Sequence, residues 1–149
     1  MKPITLILPA LALACMAGAS AAMADTHAPQ YQPIRPVSSC LRSDRINEWH
    51  VVDKRTVIAR AGPDRYLVKL QADCPRLGMP PGGLSFRSNP ANQAVMPWSI
   101  CGEAGETVRS RYQPPCAIRS VQKIDKAEFD QLRKHAGRHG SGADQPTRP

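Results

Sequence analysis

Alternation of apolar and polar residues dominates one stretch of the chain, residues 46–71. Two turn signals, at 53–54 and 61–64, divide this stretch into three segments, each with a period of two. That period is typical of half-buried antiparallel strands, and in the third segment Tyr66, Val68 and Leu70 share one face. The pattern therefore predicts a three-stranded antiparallel meander. Its strands are predicted at 46–52, 55–60 and 65–71.

Beyond residue 71 the apolar runs are shorter and are separated by proline and glycine. Further short strands are predicted at 84–87, 106–111 and 117–124. A C-terminal helix should begin after Asp125, because Asp125 and Glu128 stand in capping-box positions, and should end at Gly137. Phe129, Leu132 and Ala136 then form its apolar stripe. The expected fold is mainly β: a small antiparallel, partly open barrel or curled sheet of five to six strands, with two disulfides and one C-terminal helix.

The first 24 residues have the layout of a secretory signal peptide. Lys2 precedes an apolar run, and Ala22-Met23-Ala24 supplies a small-residue cleavage site. Export to the periplasm is expected, with a mature N-terminus at Asp25. An alternative is an outer-membrane lipoprotein acylated at Cys15, and membrane association is expected only in that case. The predicted organisation is a signal peptide at 1–24, a proline-rich linker at 25–39, a disulfide-stapled β domain with its helix at 40–137, and a disordered tail at 138–149.

Four cysteines remain after cleavage, namely Cys40, Cys74, Cys101 and Cys116. An even number of cysteines in an exported chain indicates disulfides. Gaps of 33, 26 and 14 residues separate them, so the close cysteine pairs used by structural zinc sites and thiol oxidoreductases are missing. Four cysteines allow three pairings. We favour Cys40–Cys116 with Cys74–Cys101, because Cys40 and Cys116 lead into the first and last strands of a sheet that closes on itself.

The mature chain is basic, with 19 Lys+Arg against 12 Asp+Glu, and arginine outnumbers lysine 14 to 5. In an exported protein this charge points to lipopolysaccharide, anionic lipid headgroups or cell-wall polymers, and no nucleic-acid partner is expected. The strand pattern places several cations around the meander turns as a candidate anionic-ligand surface. Its members are Arg55, Arg60, Arg65 and Lys69. The alternative left open is that these side chains are ordinary solvated charges.

No catalytic, cofactor-binding or metal-binding residues are assigned. The chain lacks a nucleophile elbow, a P-loop and a dinucleotide fingerprint. His135 and His139 have i,i+4 spacing, but Gly137 should end the helix between them, and His50 is interpreted as a packed or surface side chain. The prediction is a non-catalytic envelope protein acting as an interaction module with a basic surface. Alternatives are an inhibitor or accessory factor of an envelope enzyme that presents loop 89–98, and a hydrolase using His50.

Several short motifs occur together with Cys40 in this chain. They are Arg45-Ile46, Trp49-x-Val51-Val52-Asp53-x-Arg55-Thr56, Arg65-Tyr66, Cys74-Pro75, Phe86-Arg87-Ser88 and Cys116-x-Ile118. In these motifs the chain resembles a family of small exported proteobacterial proteins, domain of unknown function 6491. The resemblance covers residues 40–124 and is most specific over 49–56. It implies an envelope location and a small disulfide-bearing β domain, and it supplies no activity and no functional residues.

Overall fold

Antiparallel strands are the main regular structure of the described residues, with 42% strand against 14% helix. The computed structural model describes residues 37–80 and 82–143, which belong to one compact unit. The strands of the described residues are β1 (Leu41–Arg42), β2 (Ile46–Asp53), β3 (Thr56–Ala61), β4 (Asp64–Leu70), β5 (Ser85–Arg87), β6 (Ser99–Ile100), β7 (Thr107–Arg109), β8 (Cys116–Ile124) and β9 (Arg138–Ser141). The helix α1 spans Lys126–Lys134.

Seven strands form one curled, half-barrel antiparallel sheet in the order β5-β7-β8-β4-β3-β2-β9, while β1 and β6 form a separate two-stranded ribbon. The predicted meander is confirmed as β2-β3-β4, and the mainly β antiparallel class is confirmed with it. The predicted number of five to six strands is wrong. The sheet has a seventh strand because β9 folds back along β2.

Strand β9 also corrects the prediction that the chain is disordered from residue 138. Its sequence, Arg-His-Gly-Ser, carries no apolar alternation, so its pairing comes from the backbone ladder to β2. Gly140 lies opposite Trp49, and a Cβ at Gly140 would overlap the indole ring. The predicted signal peptide, Cys15, most of the predicted linker and residues 144–149 lie outside the described residues. The last linker residues, Val37–Ser39, form a 3-10 turn.

The sheet buries apolar side chains on both faces. On the inner face Trp49, Ala59 and Tyr66 stand in one row, and Leu77, Leu84 and Ile100 from outside the meander cover this face. On the outer face α1 packs on β2, β3 and β4 through Phe129, which is 1% exposed. The predicted N-cap is confirmed, since Asp125 Oδ1 accepts a hydrogen bond from the Glu128 amide at 2.8 Å.

The disulfides are Cys40–Cys101 and Cys74–Cys116, so the favoured pairing is wrong. The β1–β6 ribbon explains the first bridge, because Leu41 lies opposite Ile100 and brings the adjacent Cys40 and Cys101 together. Strands of two residues carry no readable periodicity. The second bridge ties the chain just after β4 to the start of β8, where the Gln71 amide donates to the Ala117 carbonyl.

Candidate anion-binding surface

The four cations that the sequence places around the meander do not form one cluster. Arg60 and Arg65 lie opposite each other beside the β3–β4 turn. Lys69 lies opposite Thr56 at the far end of the same two strands, next to Arg55. Four residues of strand separate the two ends, which is about 13 Å at the rise of an antiparallel strand. A single small anion therefore cannot contact all four side chains.

Carboxylates lie against two of these four cations. Arg55 Nε is 2.5 Å from Asp73 Oδ1, and Arg60 Nε is 2.6 Å from Glu48 Oε1. Burial opposes ionisation of Glu48, but Arg60 and its neighbouring cations together hold the pKa of that carboxyl below its usual range. Lys69 Nζ donates to Thr56 Oγ1, and Arg65 donates to the Pro63 carbonyl. Of these four cations, Arg65 and Lys69 form no ion pair with a described carboxylate.

A different set of cations is left without ion pairs in the part of the chain that the structure describes. Residues 74–122 contain five arginines, no lysine and only two carboxylates, Glu103 and Glu106. None of the five forms an ion pair with a described residue. Three of them lie on β5, β7 and β8, one follows β7, and one lies in the turn after Cys74. We call them the arginine surface: Arg76, Arg87, Arg109, Arg111 and Arg119. Sequence reasoning missed them, although the arginine-only stretch was a readable signal.

Both carboxylates of this stretch are engaged inside the protein. Glu106 is fully buried and accepts hydrogen bonds from the amides of Cys101 and Gly102 at 2.8 and 2.6 Å, and from Glu103 at 3.0 Å. Burial raises the pKa of Glu106 in spite of these amides. Glu103 Oε2 accepts from the side-chain amides of Asn89 and Asn92 at 2.8 and 2.9 Å. Glu103 and Glu106 therefore order two loops, and neither pairs with any of the five arginines.

Register places Arg87 and Arg109 on the outer face of the sheet. Phe86 and Val108 lie opposite each other in the inner core, so their neighbours point outward. Arg109 faces Ser85, which makes Arg87 its diagonal neighbour at a Cα spacing of about 7–8 Å. Arg87 Nε is buried and has no acceptor among the described residues. Two guanidinium groups at this spacing can bind one phosphate or carboxylate group through paired N–H donors.

Arg119 belongs to the same side of the molecule. It lies at a β-bulge, because Lys69 pairs with Ser120 while the next residue, Leu70, pairs with Ile118. Ile118 and Val121 are buried in the core, and Arg119 is exposed between them. Helix α1 packs on β2, β3 and β4, whereas Arg87, Arg109 and Arg119 occupy β5, β7 and β8.

The histidines are dispersed by the fold. His50 is buried, and its ring packs edge-on against Phe129 with centroids 5.8 Å apart, while burial lowers its pKa. His139 lies opposite it on β9 with ring centroids 6.3 Å apart. His135 follows the end of α1, so the two spaced histidines do not share a helix face. The described residues hold no cluster of three or more His, Cys, Asp or Glu side chains arranged for a metal ion.

Loop 89–98 presents little apolar surface. Trp98 is half-buried, and its carbonyl accepts hydrogen bonds from the amide and hydroxyl of Ser43. Val95 is the exception, with 79% of its surface exposed. The Asn89 and Asn92 contacts to Glu103 hold the first half of the loop. A partner approaching this loop would meet one large apolar side chain, Val95, together with the small exposed side chains of Ala91 and Ala94.

Within the described residues, fold and surface define a small, mainly β antiparallel domain with two disulfides, one α-helix and a set of arginines that form no ion pair there. The model of a family of unknown function, DUF6491, matches residues 1–140, and the chain belongs to this family. No curated protein and no solved structure matches the chain. Among the described residues, no helix combines the length and apolarity required to cross a membrane.

Proposed function

We propose that this chain is a non-catalytic, exported protein of the cell envelope that binds an anionic envelope component through its arginine surface. Two disulfides support an oxidising compartment. After export the abundant polyanions are lipopolysaccharide, anionic lipids and cell-wall polymers. Arginine suits such partners because its planar guanidinium matches phosphate and carboxylate groups.

The arrangement of Arg87 and Arg109 carries this proposal. Both side chains lie on the outer face, they are diagonal neighbours, and no described carboxylate pairs with either of them. Arg109 is exposed and Arg87 is half-buried beside it, so an external anion can approach the pair from the Arg109 side. Two of the cations around the meander are less available to an external anion, because Arg55 forms an ion pair with Asp73 and Arg60 forms one with Glu48.

A non-catalytic role is supported by the use that the fold makes of its buried titratable groups. Glu106 accepts three amide hydrogen bonds, so its oxygens are committed to the loop that follows Cys101. His50 is covered by Phe129 and β9 and is not available as a surface base. A general acid or base must be within reach of a substrate and able to exchange a proton with it, and neither Glu106 nor His50 meets both conditions.

Retention on immobilised lipopolysaccharide across a salt series tests the proposal. We expect the mature protein to be retained weakly and to elute with modest salt, because exposed charges are screened within about 8 Å at physiological ionic strength. The variant Arg87→Ala, Arg109→Ala, Arg119→Ala should lose most of this retention. The matched control Arg55→Ala, Arg65→Ala, Lys69→Ala removes the same charge and should retain most of it. Equal loss in both variants would show that net charge alone is responsible and would overturn the assignment.

The exposure of Val95 supports a second candidate function, inhibition or assistance of an envelope enzyme through loop 89–98. A photoreactive residue at position 95 should then cross-link to one envelope protein, and the same residue at position 37, which is also exposed, should not. Val95→Asp should abolish that interaction, while the triple arginine variant should preserve it. Identical cross-linking patterns from both positions would contradict this candidate.

A further inference from the structure

Two exposed apolar side chains lie on neighbouring segments beside the arginine surface. Met79 is 47% exposed and Tyr112 is 66% exposed. The other large apolar side chains exposed among the described residues are Val37 and Val95, which belong to other parts of the chain. Exposure of single apolar residues is ordinary, but these two are accompanied by Arg76 and Arg111, which form no ion pair with a described residue.

Backbone contacts bring the two segments together. Ser110 Oγ donates to the Arg76 carbonyl at 3.1 Å, and the Met79 amide donates to the same carbonyl at 3.2 Å. A Cβ built on Gly82 would lie 3.5 Å from Arg111 Cβ and 3.9 Å from the Met79 carbonyl oxygen. Met79 and Arg111 therefore both lie beside Gly82, and Tyr112 follows Arg111 directly. We call these four residues the tip patch: Arg76, Met79, Arg111 and Tyr112.

We propose that the tip patch docks this protein on a bilayer surface rich in anionic phospholipid. This inference rests on the proposed function and names its partner as a lipid headgroup layer. Arg76 and Arg111 carry no ion pair with a described residue and are free to bind headgroup phosphates. Tyrosine suits the boundary between headgroups and acyl chains, because its ring is apolar and its hydroxyl is polar. Arginine stems can lie along the same apolar boundary while the guanidinium stays in water.

The exposed side chains of Met79 and Tyr112 distinguish binding to a bilayer from binding to a soluble polymer. A hydrated polyanion offers charge to Arg76 and Arg111 but gives Met79 and Tyr112 nothing to bury. A bilayer offers both, since its interfacial region accepts apolar side chains beneath the phosphate layer. Binding to a bilayer should therefore depend on all four residues, while binding to a polymer should depend on the arginines alone.

Co-sedimentation with vesicles tests this inference on the mature exported chain. Wild-type protein should sediment with vesicles of phosphatidylethanolamine and phosphatidylglycerol and remain in solution with phosphatidylcholine vesicles. Met79→Ser, Tyr112→Ser should reduce binding to the anionic vesicles about tenfold without changing the charge, as expected for the loss of two partly buried apolar side chains. The matched control Val37→Ser, Val95→Ser removes the other exposed apolar pair and should bind like wild type. Circular dichroism should show the same fold for all three proteins.

Binding to soluble polyphosphate, measured in parallel, separates the two proposals. If the Met79, Tyr112 variant keeps full vesicle binding while the triple arginine variant loses both ligands, the bilayer inference is overturned and the proposed function stands. If wild-type protein binds neither polyphosphate nor anionic vesicles, the proposed function itself fails. If Arg76→Ala, Arg111→Ala weakens both ligands and Met79→Ser, Tyr112→Ser weakens only vesicles, the inference is supported.

Discussion

Two halves of this small β domain are built differently. The meander half contains β2, β3, β4, β9 and α1, and its three long strands of six to eight residues follow one another through tight turns. The loop-rich half contains β1, β5, β6, β7 and the start of β8, with strands of two or three residues separated by long connections. Both disulfides involve the loop-rich half. Regular pairing holds the first half, and covalent bridges supplement weak pairing in the second.

Charge follows the same division, with the exception of Arg42 and Asp44 at and beside β1, which form an ion pair at 2.7 Å. In the meander half carboxylates lie against cations, as in the pairs of Glu48 with Arg60 and Asp64 with Lys123. In the loop-rich half Glu103 and Glu106 bind amide groups, and the arginine surface has no carboxylate partner among the described residues. Side-chain acceptors are needed where short strands leave loop amides unpaired, because buried backbone donors require partners. The loops therefore use the negative charge, and the arginines remain available to an external anion.

The largest expected effect is on the loop-rich half. Replacing Cys74 and Cys116 together by serine opens a loop with a sequence separation of 42 and should lower the free energy of unfolding by about 4 kcal/mol. Urea unfolding measures this loss.

Peptide mapping without reduction should recover Cys40–Cys101 and Cys74–Cys116, and recovery of a Cys40–Cys116 peptide would contradict the structure. Native-state hydrogen exchange should show faster exchange in β5 and β7 than in β3, which would sharpen the comparison between the halves.

A somewhat smaller effect is expected in the meander half. Phe129→Ala removes the buried contact of α1 with the outer face and should cost about 3 kcal/mol, near the lower end for a buried phenylalanine because a nine-residue helix can partly readjust. Thermal and urea unfolding measure the change. Gln131→Ala, at an exposed position of the same helix, is the control and should change stability little. Equal effects of the two substitutions would show that α1 does not stabilise the sheet.

Glu106→Gln tests how the loop-rich half uses its buried carboxylate. One of the two accepting oxygens becomes an NH₂ group that faces amide donors, so we expect a loss of about 2 kcal/mol in unfolding free energy. Glu103→Gln keeps an oxygen that can accept from the two asparagines and should cost less. Urea unfolding of both variants with the disulfides intact provides the measurement. A larger cost for Glu103→Gln would show that stability depends more on Glu103 than on the buried Glu106.

The smallest expected effect is a pH dependence in the meander half. Burial lowers the pKa of His50 below its usual value of 6.5, with Arg133 and His139 acting in the same direction and Glu48 against it. The unfolded chain therefore binds more protons between the folded-state pKa and pH 6.5. Stability from this site is fully present above pH 6.5 and is lost as the pH falls through the folded-state pKa. Unfolding free energies between pH 7.5 and 5 should fall less for His50→Phe than for wild type, and parallel curves would contradict the prediction.

Expectations from the sequence were most accurate in the meander half. The meander and the Asp125 cap could be predicted because period-two alternation and capping are local properties of a few neighbouring residues. Strand β9 and the β1–β6 ribbon could not be predicted. Strand β9 is short and polar, and β1 and β6 are too brief to show a period. Each of them forms only by pairing with a strand distant in the chain. The disulfide pairing was wrong for the same reason, since the ribbon decides which cysteines meet. The arginine surface could have been suspected from the composition of residues 74–122, but its lack of carboxylate partners depends on where Glu103 and Glu106 point.

By itself the sequence determined the mainly β class, the meander, the capped helix, the family resemblance and the excess of arginine. These properties are local or additive, so they can be read without knowing which distant residues touch. Tertiary structure decided the disulfide partners, the addition of β9 and the distribution of charge between paired and unpaired cations. Each of these depends on the register of segments tens of residues apart. A carboxylate neutralises an arginine only if the fold brings the two within a few ångströms, as it does for Glu48 and Arg60 and does not for Glu106 and Arg109.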